Sequence, residues 1–436
     1  MKKSTLFVIT ILLVLSLTFG LVACGGGKEP ESTQADEPTL SETLGLDLRL
    51  SELDMFMQPI FSGTYSYNET VMFLDKGDAK TLLYPIDTVV EVTSYDGSII
   101  YEEGKDYVVE DGKLKITENS SIPCITGEKF YNAPGSILET EYEGKNVPTH
   151  WGEGRAMVDW QVNVSYTHTS EWQGYVQISQ LEIYQDFVKK LIAGEDVTVF
   201  FYGDSITTGG NSSWRDGYAP YQDPYTILFV KALADLFDYT VHFEAANLQA
   251  PSGRLTTIVP DEDYVAGERG RITYVNTAIG GWTSEDGVVN VEKFVNQKIE
   301  QYGCDLFVLA FGMNDQDVSP DITAENATAI LNEVYVLEPA ASVVIISTMS
   351  PNPNATNGWY GNQVYQEPKL LELAQAYRDL GWRCGVACMT SISQAVLEHK
   401  EFHDYSGNNI NHPNDYFGRI YAQALLQTVI GYENIK

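Results

Sequence analysis

The chain has 436 residues, 44% of them hydrophobic, and a formal net charge of −33 at pH 7. That hydrophobic content is ordinary for a globular protein, so the acidic balance does not indicate disorder. A surface this acidic repels nucleic acid and anionic membranes, and it favours a neutral substrate or an uncharged sugar.

The first 23 residues have the pattern of an export signal: Lys2 and Lys3 precede an uncharged, mostly aliphatic stretch. Its end, Leu21-Val-Ala-Cys24, is similar to the lipobox of bacterial lipoprotein precursors, which implies cleavage before Cys24 and a diacylglycerol on its sulfur. The alternative is an uncleaved transmembrane anchor. In both cases we expect the rest of the chain at the extracellular face of the cell membrane. Residues 24–45, rich in Glu, Pro, Ser and Thr, are predicted to be a disordered tether.

Residues 46–185 contain short runs with alternating hydrophobic side chains and are predicted to form an all-β sandwich domain of the jelly-roll type. Turn signals such as Asp96-Gly97 and Asp111-Gly112 separate the short runs. An Asp-Gly pair between alternating runs is a strong signal for a hairpin. The predicted strands are 88–95, 98–102, 107–110, 113–117 and 159–167.

Residues 186–436 alternate between apolar strands and amphipathic helices. This alternation predicts a three-layer α/β/α domain around a parallel sheet, whose chemistry lies at the carboxyl ends of the strands. The predicted strands are 197–202, 272–276, 306–311, 343–347 and 385–388. The predicted helices are 180–193, which leads into this part, 225–237, 291–302, 323–337, 368–380 and 416–430.

The five cysteines do not form a disulfide framework. Cys384 and Cys388 precede His399 and His403 at a spacing like that of a zinc finger. They fall in segment 382–389, which is predicted to be a buried strand, where residues four apart are separated by roughly 13 Å, too far to share one zinc ion. We therefore expect no metal site, and nothing in the sequence implies a cofactor.

Four short motifs in the second half follow a strand end or precede a helix: Gly203-Asp204-Ser205, Asn276 to Trp282, Gly312-Met313-Asn314-Asp315, and Asn411-His412-Pro413-Asn414. In this order they resemble the blocks of the SGNH (GDSL-like) hydrolase family. The resemblance implies Ser205 as the nucleophile and His412 as its base. It also implies the N–H groups of Ser205 and Gly281 and the side-chain amide of Asn314 as oxyanion donors. Acyl transfer needs such a set of groups.

One position departs from the family pattern. The family usually has Asp three residues before the catalytic His, and this chain has Asn409 there. The site could work as a Ser–His dyad whose imidazole donates to a backbone carbonyl or to Asn409. A carboxylate from elsewhere, such as Asp404, could replace the missing Asp, or the site could be inactive and only bind. We expect the dyad, because the nucleophile, the base and the oxyanion donors are all present.

The expected function is that of an extracellular serine esterase that removes O-acyl groups, O-acetyl above all, from polysaccharides or oligosaccharides. The architecture also resembles carbohydrate esterases with an N-terminal β-sandwich. Trp282 and Trp359 are predicted to bind sugar rings. The alternatives are a lipid, thioester or aryl esterase on the same site, or a decayed surface lipoprotein that only binds glycans. We expect membrane contact through the lipid anchor alone and no nucleic-acid partner; the sequence does not indicate an oligomeric state.

Overall fold

The computed structural model describes residues 39–245 and 253–436. The predicted signal segment 1–23, Cys24 and most of the predicted tether lie outside the described residues. The end of the tether differs from the expectation, because Leu40–Leu44 form a short helix, α1, whose two terminal leucines pack against the hydrophobic core. Among the residues described, no helix is both long enough and apolar enough to cross a lipid bilayer.

The N-terminal part is rich in short strands, which form three small sheets within the described residues. One sheet has the antiparallel order β1 (Tyr65–Met72), β8 (Gln161–Thr167), β3 (Thr88–Ser94). The second has the order β2 (Ala79–Lys80), β5 (Lys113–Ile116), β4 (Tyr107–Glu110), and the third pairs β6 (Glu139–Tyr142) with β7 (Lys145–Pro148). The short helices α2 (Asp54–Met57), α3 (Gly127–Phe130) and α4 (Arg155–Val158) lie between strands or before them.

The β4–β5 hairpin has the turn that its Asp-Gly pair predicts. Asp111 and Gly112 have φ values of 50° and 72°, the left-handed conformation that a two-residue type I′ turn requires. Segment 98–102, in contrast, is not a strand. It runs beside β3 with a single bridge to Thr93, because the Asp96 side chain accepts the N–H of Ser98 at 3.1 Å and keeps this backbone in a local turn.

Helix α5 (Leu181–Ala193) leads into a seven-stranded sheet of order β11-β10-β12-β9-β13-β14-β15. Neighbours are parallel except for the edge strand β11. The predicted parallel sheet is therefore confirmed. The strands are β9 (Val197–Gly203), β10 (Thr240–Glu244), β11 (Tyr264–Val265), β12 (Arg271–Asn276), β13 (Leu306–Ala310), β14 (Ser342–Ser347) and β15 (Arg383–Cys388).

Helices cover both faces of this sheet, because alternate side chains of each strand point to opposite faces and both sets are apolar. Val199 and Phe201 pack with α5, α7 (Tyr225–Phe237) and α14 (Asp415–Val429). Phe200 and Tyr202 pack on the other face with α9 (Gln297–Tyr302), α10 (Pro320–Leu337) and α11 (Glu367–Asp379). The remaining helices are α6 (Ser213–Asp216), α8 (Ser284–Val291), α12 (Met389–Leu397) and α13 (Phe402–Tyr405), together with a π-turn at Glu292–Asn296 and 3-10 turns at Asn362–Tyr365 and Tyr432–Asn434.

One continuous core joins the β-rich part to the α/β part, and residues 40–436 form one compact unit. Val71 of β1 and Val164 of β8 belong to the same apolar cluster as Leu425 of α14 and Phe201 of β9. The predicted domain boundary between residues 185 and 186 falls inside α5, and the division into two domains remains a prediction.

A buried ion pair also connects the two parts. Lys400 Nζ lies 2.6 Å from Glu69 Oε1 on β1, and both side chains are fully buried. Glu69 also accepts hydrogen bonds from the N–H of Leu83 at 2.9 Å and from the hydroxyl of Tyr166 at 2.7 Å. Its charge is therefore matched as long as Lys400 is present.

We expect Lys400→Met to lower the free energy of unfolding by about 3–5 kcal/mol, because it leaves the Glu69 charge buried without its partner. Urea denaturation measures the loss. The control is Lys105→Met, which removes a partner of Glu102 in an ion pair whose side chains are 62% and 69% exposed, and which should cost less than about 1 kcal/mol. Equal losses in the two variants would contradict a structural role for the buried pair.

Candidate active site

Ser205 lies just beyond the carboxyl end of β9, in the middle of the sheet. Gly203 ends this strand so close to β13 that an added Cβ would lie 2.4 Å from the carbonyl oxygen of Ala310, so no larger residue fits. The Ser205 carbonyl then accepts hydrogen bonds from the Thr208 hydroxyl at 2.7 Å and from the N–H of Gly210 at 2.9 Å. These contacts fix the turn that presents the serine at the sheet edge.

The carboxyl group of Asp204 is buried beneath this turn. Its Oδ1 accepts the N–H of Ile206 at 3.1 Å. Burial raises the pKa of Asp204 to about 7, although this hydrogen bond and the nearby His412 act in the opposite direction. Asp204 therefore changes its charge near neutral pH, directly beside the serine.

His412 approaches Ser205 from a loop before α14. Its Nε2 lies 2.7 Å from Ser205 Oγ, within the reach that a base needs to take a nucleophile's proton. The side-chain oxygen of Asn408 accepts three backbone N–H groups of this loop, those of Ile410, Asn411 and His412, at 2.9 to 3.0 Å. The loop, and with it the imidazole, is thus held by a buried polar side chain.

The other ring nitrogen of His412 faces two side chains that the sequence reasoning missed. Nδ1 lies 2.6 Å from Asn211 Oδ1 and 3.5 Å from Glu153 Oε2. Because Nε2 accepts from Ser205, Nδ1 carries the hydrogen and donates it to the Asn211 oxygen. Asn211 could have been found from the sequence, because it directly follows Gly209-Gly210 in the turn after the nucleophile. Nothing comparable in the sequence points to Glu153.

Neither Asn409 nor Asp404, the two possible partners of His412 that the sequence offers, hydrogen-bonds to its ring. Asn409 has a φ of 64°, and its amide donates to the His150 carbonyl at 2.8 Å while its oxygen accepts from Asn352 at 3.2 Å. Both carboxylate oxygens of Asp404 accept backbone N–H groups, from Met72 and Glu401 at 2.9 Å each. Both side chains, named as possible partners of the imidazole, are engaged elsewhere, so the neutral acceptor beside the ring is Asn211 and not Asn409.

The loops that contain Gly281 and Asn314 are bound to each other at the same sheet edge. The Asn314 amide donates one hydrogen to the Trp282 carbonyl at 2.9 Å, which leaves its second hydrogen for another acceptor. Gly281 has a φ of 73°, and the Arg254 guanidinium donates to its carbonyl at 3.3 Å. The roles of Gly281 and Asn314 as oxyanion donors stay predictions.

The two tryptophans predicted to bind sugar differ from each other. Trp282 is 4% exposed and packs edge-on against Phe294, with ring centroids 4.8 Å apart. It is a core residue rather than a sugar platform, which corrects the expectation. Trp359 is half-buried and its indole N–H donates to the Ile137 carbonyl at 3.1 Å; its role in sugar binding stays a prediction.

Cys384 and Cys388 both lie in β15, buried and without a disulfide. Burial raises the pKa of each thiol to about 12. His399 stands apart, tilted against Trp172, and His403 contacts Glu401 at 2.8 Å. Within the described part of the chain, no group of three or more His, Cys, Asp or Glu side chains is arranged to hold a metal ion.

A parallel sheet with a hydrogen-bonded serine and histidine at the carboxyl end of its central strand is an architecture of ester hydrolases. Residues 201–417 match the model of the GDSL-like lipase/acylhydrolase family. The chain therefore carries a GDSL-like (SGNH) hydrolase domain. No curated protein sequence matches the chain.

Solved structures with a similar fold are distant. A two-domain esterase active on acetylated mannans, co-crystallized with mannopentaose, is 18% identical with a TM-score of 0.40, over 58% of this chain and 54% of that one. An acetyl xylan esterase, AlAXEase, is 17% identical with a TM-score of 0.35, over 54% and 100%. A carbohydrate esterase family 3 from Talaromyces cellulolyticus is 14% identical with a TM-score of 0.34, over 52% and 94%. The chain spans about half the length of the two-domain esterase.

Asp204→Asn tests how the buried carboxyl group affects stability. The folded pKa of about 7 lies above the unfolded value of about 3.9, so between these values the folded protein holds a proton that the unfolded chain has lost. The stabilisation of the folded protein by this raised pKa is fully present below about pH 4 and is lost as the pH rises through about 7. We expect the free energy of unfolding of Asp204→Asn not to fall with pH in this way.

The measurement is urea denaturation of both proteins at about pH 4.5 and about pH 8. The free energy of unfolding of Asp204→Asn, relative to the wild type, should rise between these pH values by up to a few kcal/mol. Asp415, whose pKa burial raises to about 6, titrates in both proteins and cancels in the difference. A difference that does not change with pH would rule out the raised pKa.

Proposed function

We propose that this protein is an ester hydrolase, namely an extracellular carbohydrate O-acyl esterase that removes O-acetyl groups through an acyl-enzyme on Ser205. The observation that carries the proposal is the 2.7 Å hydrogen bond between Ser205 Oγ and His412 Nε2 at the end of the central strand. Ser205 is only 5% exposed and His412 only 6%, so a small acyl group suits the site better than a bulky one.

In the proposed reaction Ser205 Oγ attacks the ester carbonyl carbon while its proton moves to His412 Nε2. The carbonyl electron pair moves to the oxygen, where the N–H groups of Ser205 and Gly281 and the Asn314 amide would donate to it. When this intermediate collapses, the C–O bond to the sugar breaks and His412 returns the proton to the sugar oxygen. Water then attacks the acyl-enzyme in the same way and releases acetate.

The preference for carbohydrate rests on the polar character of the site and on the charge of the chain. The side chains that contact the Ser205–His412 pair are amides and a carboxylate, including Asn211, Asn408 and Glu153. Polar surroundings of this kind disfavour a long acyl chain, and the net charge of −33 disfavours binding to anionic lipid surfaces.

We also propose that the enzyme works outside the cytoplasm, held to the membrane by a lipid on Cys24. This proposal rests on the sequence of residues 1–24 alone. A neutral surface glycan would then be within reach of the tethered site, and the acidic surface of the enzyme would keep the folded part away from anionic headgroups.

The proposed function is tested by acetate release from a panel of acetylated mannans, xylans and oligosaccharides, with 4-nitrophenyl acetate and long-chain 4-nitrophenyl esters alongside. We expect activity on acetyl esters and on at least one acetylated glycan, with Ser205→Ala inactive and folded. Equal or higher activity on long-chain esters would favour a lipid esterase. If Ser205→Ala hydrolysed acetyl esters at near the wild-type rate, the assignment of the site would be refuted. A wild type that binds glycans but is inactive would indicate a decayed enzyme.

Asn314→Ala tests the proposed oxyanion donor. We expect kcat to fall by about 10²–10³ with little change in KM, because the donor acts mainly in the transition state. Steady-state kinetics on 4-nitrophenyl acetate separates the two constants. Asn326→Ala is the control, since that amide donates to the Ser284 hydroxyl on α8 at 2.9 Å instead. A defect confined to KM would mean that Asn314 binds substrate and not the oxyanion.

A further inference from the structure

Besides Asn211, the N-terminal, β-rich part of the chain contacts the side of His412 that faces away from Ser205. Glu153 precedes α4 in that part, outside the matched hydrolase domain. Its Oε2 lies 3.5 Å from His412 Nδ1, next to the Asn211 oxygen at 2.6 Å. The Asn211 oxygen therefore accepts the hydrogen of Nδ1, and the Glu153 carboxylate lies beside the ring at ion-pair distance.

Glu153 is held in this place by the loop that carries His412. The Asn408 amide donates to Glu153 Oε1 at 3.1 Å, and the Asn408 carbonyl accepts the N–H of Gly152 at 3.3 Å. The Asn409 amide donates to the carbonyl of His150 at 2.8 Å. Two consecutive asparagines thus bind segment 150–153, and one of them, Asn409, stands at the position where the family usually has an orienting Asp.

From this arrangement we propose that Glu153 is the positioning residue that stabilises the charged form of His412, in place of the Asp that the hydrolase domain lacks. The inference rests on the esterase function proposed above. Under this proposal both the β-rich part and the α/β part contribute to the active site. Asn211 accepts the hydrogen bond from His412, and Glu153 supplies the negative charge.

The chemistry of the attack step explains what the carboxylate would do. As the Oγ–C bond forms, the Ser205 proton moves to Nε2 and the ring becomes a cation. The Asn211 oxygen keeps the Nδ1 hydrogen in place but carries no net charge. The Glu153 carboxylate supplies the opposite charge, takes no proton itself, and is released from this role when His412 protonates the leaving oxygen.

The electrostatics agree with this role. Burial acts to raise the pKa of Glu153, but the contact with His412, the charge of that ring and the Asn408 and Asn211 amides together outweigh burial, so the pKa is lowered and the carboxylate stays ionised. The Glu153 side chain is 56% exposed, so water screens its charge. Its effect on turnover should therefore be smaller than the ~10⁴ of a buried triad Asp.

A second carboxylate in this neighbourhood, that of Asp216, is a poorer candidate. It is paired with the Arg215 guanidinium at 3.5 Å. Burial raises its pKa, and the charge of Glu153 acts in the same direction. Asp216 therefore serves as the competing assignment in the test.

The test compares kcat and KM for 4-nitrophenyl acetate in the wild type, Glu153→Gln, Asp216→Asn and Glu91→Gln. We expect Glu153→Gln to lose about 10- to 100-fold in kcat with KM unchanged. Glu153→Asp, which keeps the negative charge on a shorter side chain, should lose less kcat than Glu153→Gln. A residue whose role does not depend on its charge would not separate these two variants in this order. Glu91→Gln removes the same charge from an exposed side chain of β3 and should match the wild type.

A second readout does not depend on the proposed substrate. A fluorophosphonate forms a bond from phosphorus to Ser205 Oγ and expels fluoride, while the serine proton moves to His412. Its inactivation rate should fall in Glu153→Gln by the same factor as kcat. If the wild type reacts with the phosphonate but cleaves no acetyl ester, the proposed function fails while this rate still decides the role of Glu153.

Several outcomes would overturn the inference. Glu153→Gln with wild-type kcat and wild-type inactivation rate would do so, and so would a severe Asp216→Asn defect beside a mild Glu153→Gln one. A Glu153→Gln defect in KM alone would make Glu153 a substrate contact instead. A wild type that reacts with neither reagent would refute both proposals.

Discussion

The hydrogen bond between Ser205 and His412 joins two positions that are 207 residues apart, and its geometry depends on two separate supports. Ser205 is fixed by the central strand of a sheet that is buried on both faces. His412 is fixed by a loop whose backbone N–H groups converge on the Asn408 side chain. The hydrophobic core thus fixes the position of Ser205, and a buried polar network fixes that of His412. Disrupting either of them would misplace the pair.

The α/β part could be predicted well because its helices and strands are encoded locally. The apolar spacing of α7 predicts both of its ends, Tyr225 and Phe237. The predicted helix 291–302 is less accurate: the helical run begins at Ser284, where Thr283 and Asp286 form a capping box, and it passes through a π-turn at Glu292–Asn296. Polar caps of this kind are weaker sequence signals than an apolar stripe.

The site could be predicted only where its residues follow strand ends. Ser205 lies there, and His412 belongs to a short motif before a helix, so local patterns found both. Trp282 was predicted in the correct loop but with the wrong role. Its burial depends on Phe294, which lies in the π-turn at Glu292–Asn296. Glu153 could not be found, since its partner Asn408 is 255 positions away and only folding brings the two segments together.

Asn409 shows why the usual carboxylate and the docked N-terminal segment exclude each other at this position. The Asn409 amide donates to the His150 carbonyl, and an Asp there would set a carboxylate against that carbonyl without a hydrogen between them. Its side chain is 1% exposed, so water could not relieve the repulsion. The amide that anchors segment 150–153 is thus incompatible with an acid at residue 409, and the same segment brings a different acid, Glu153, to the imidazole.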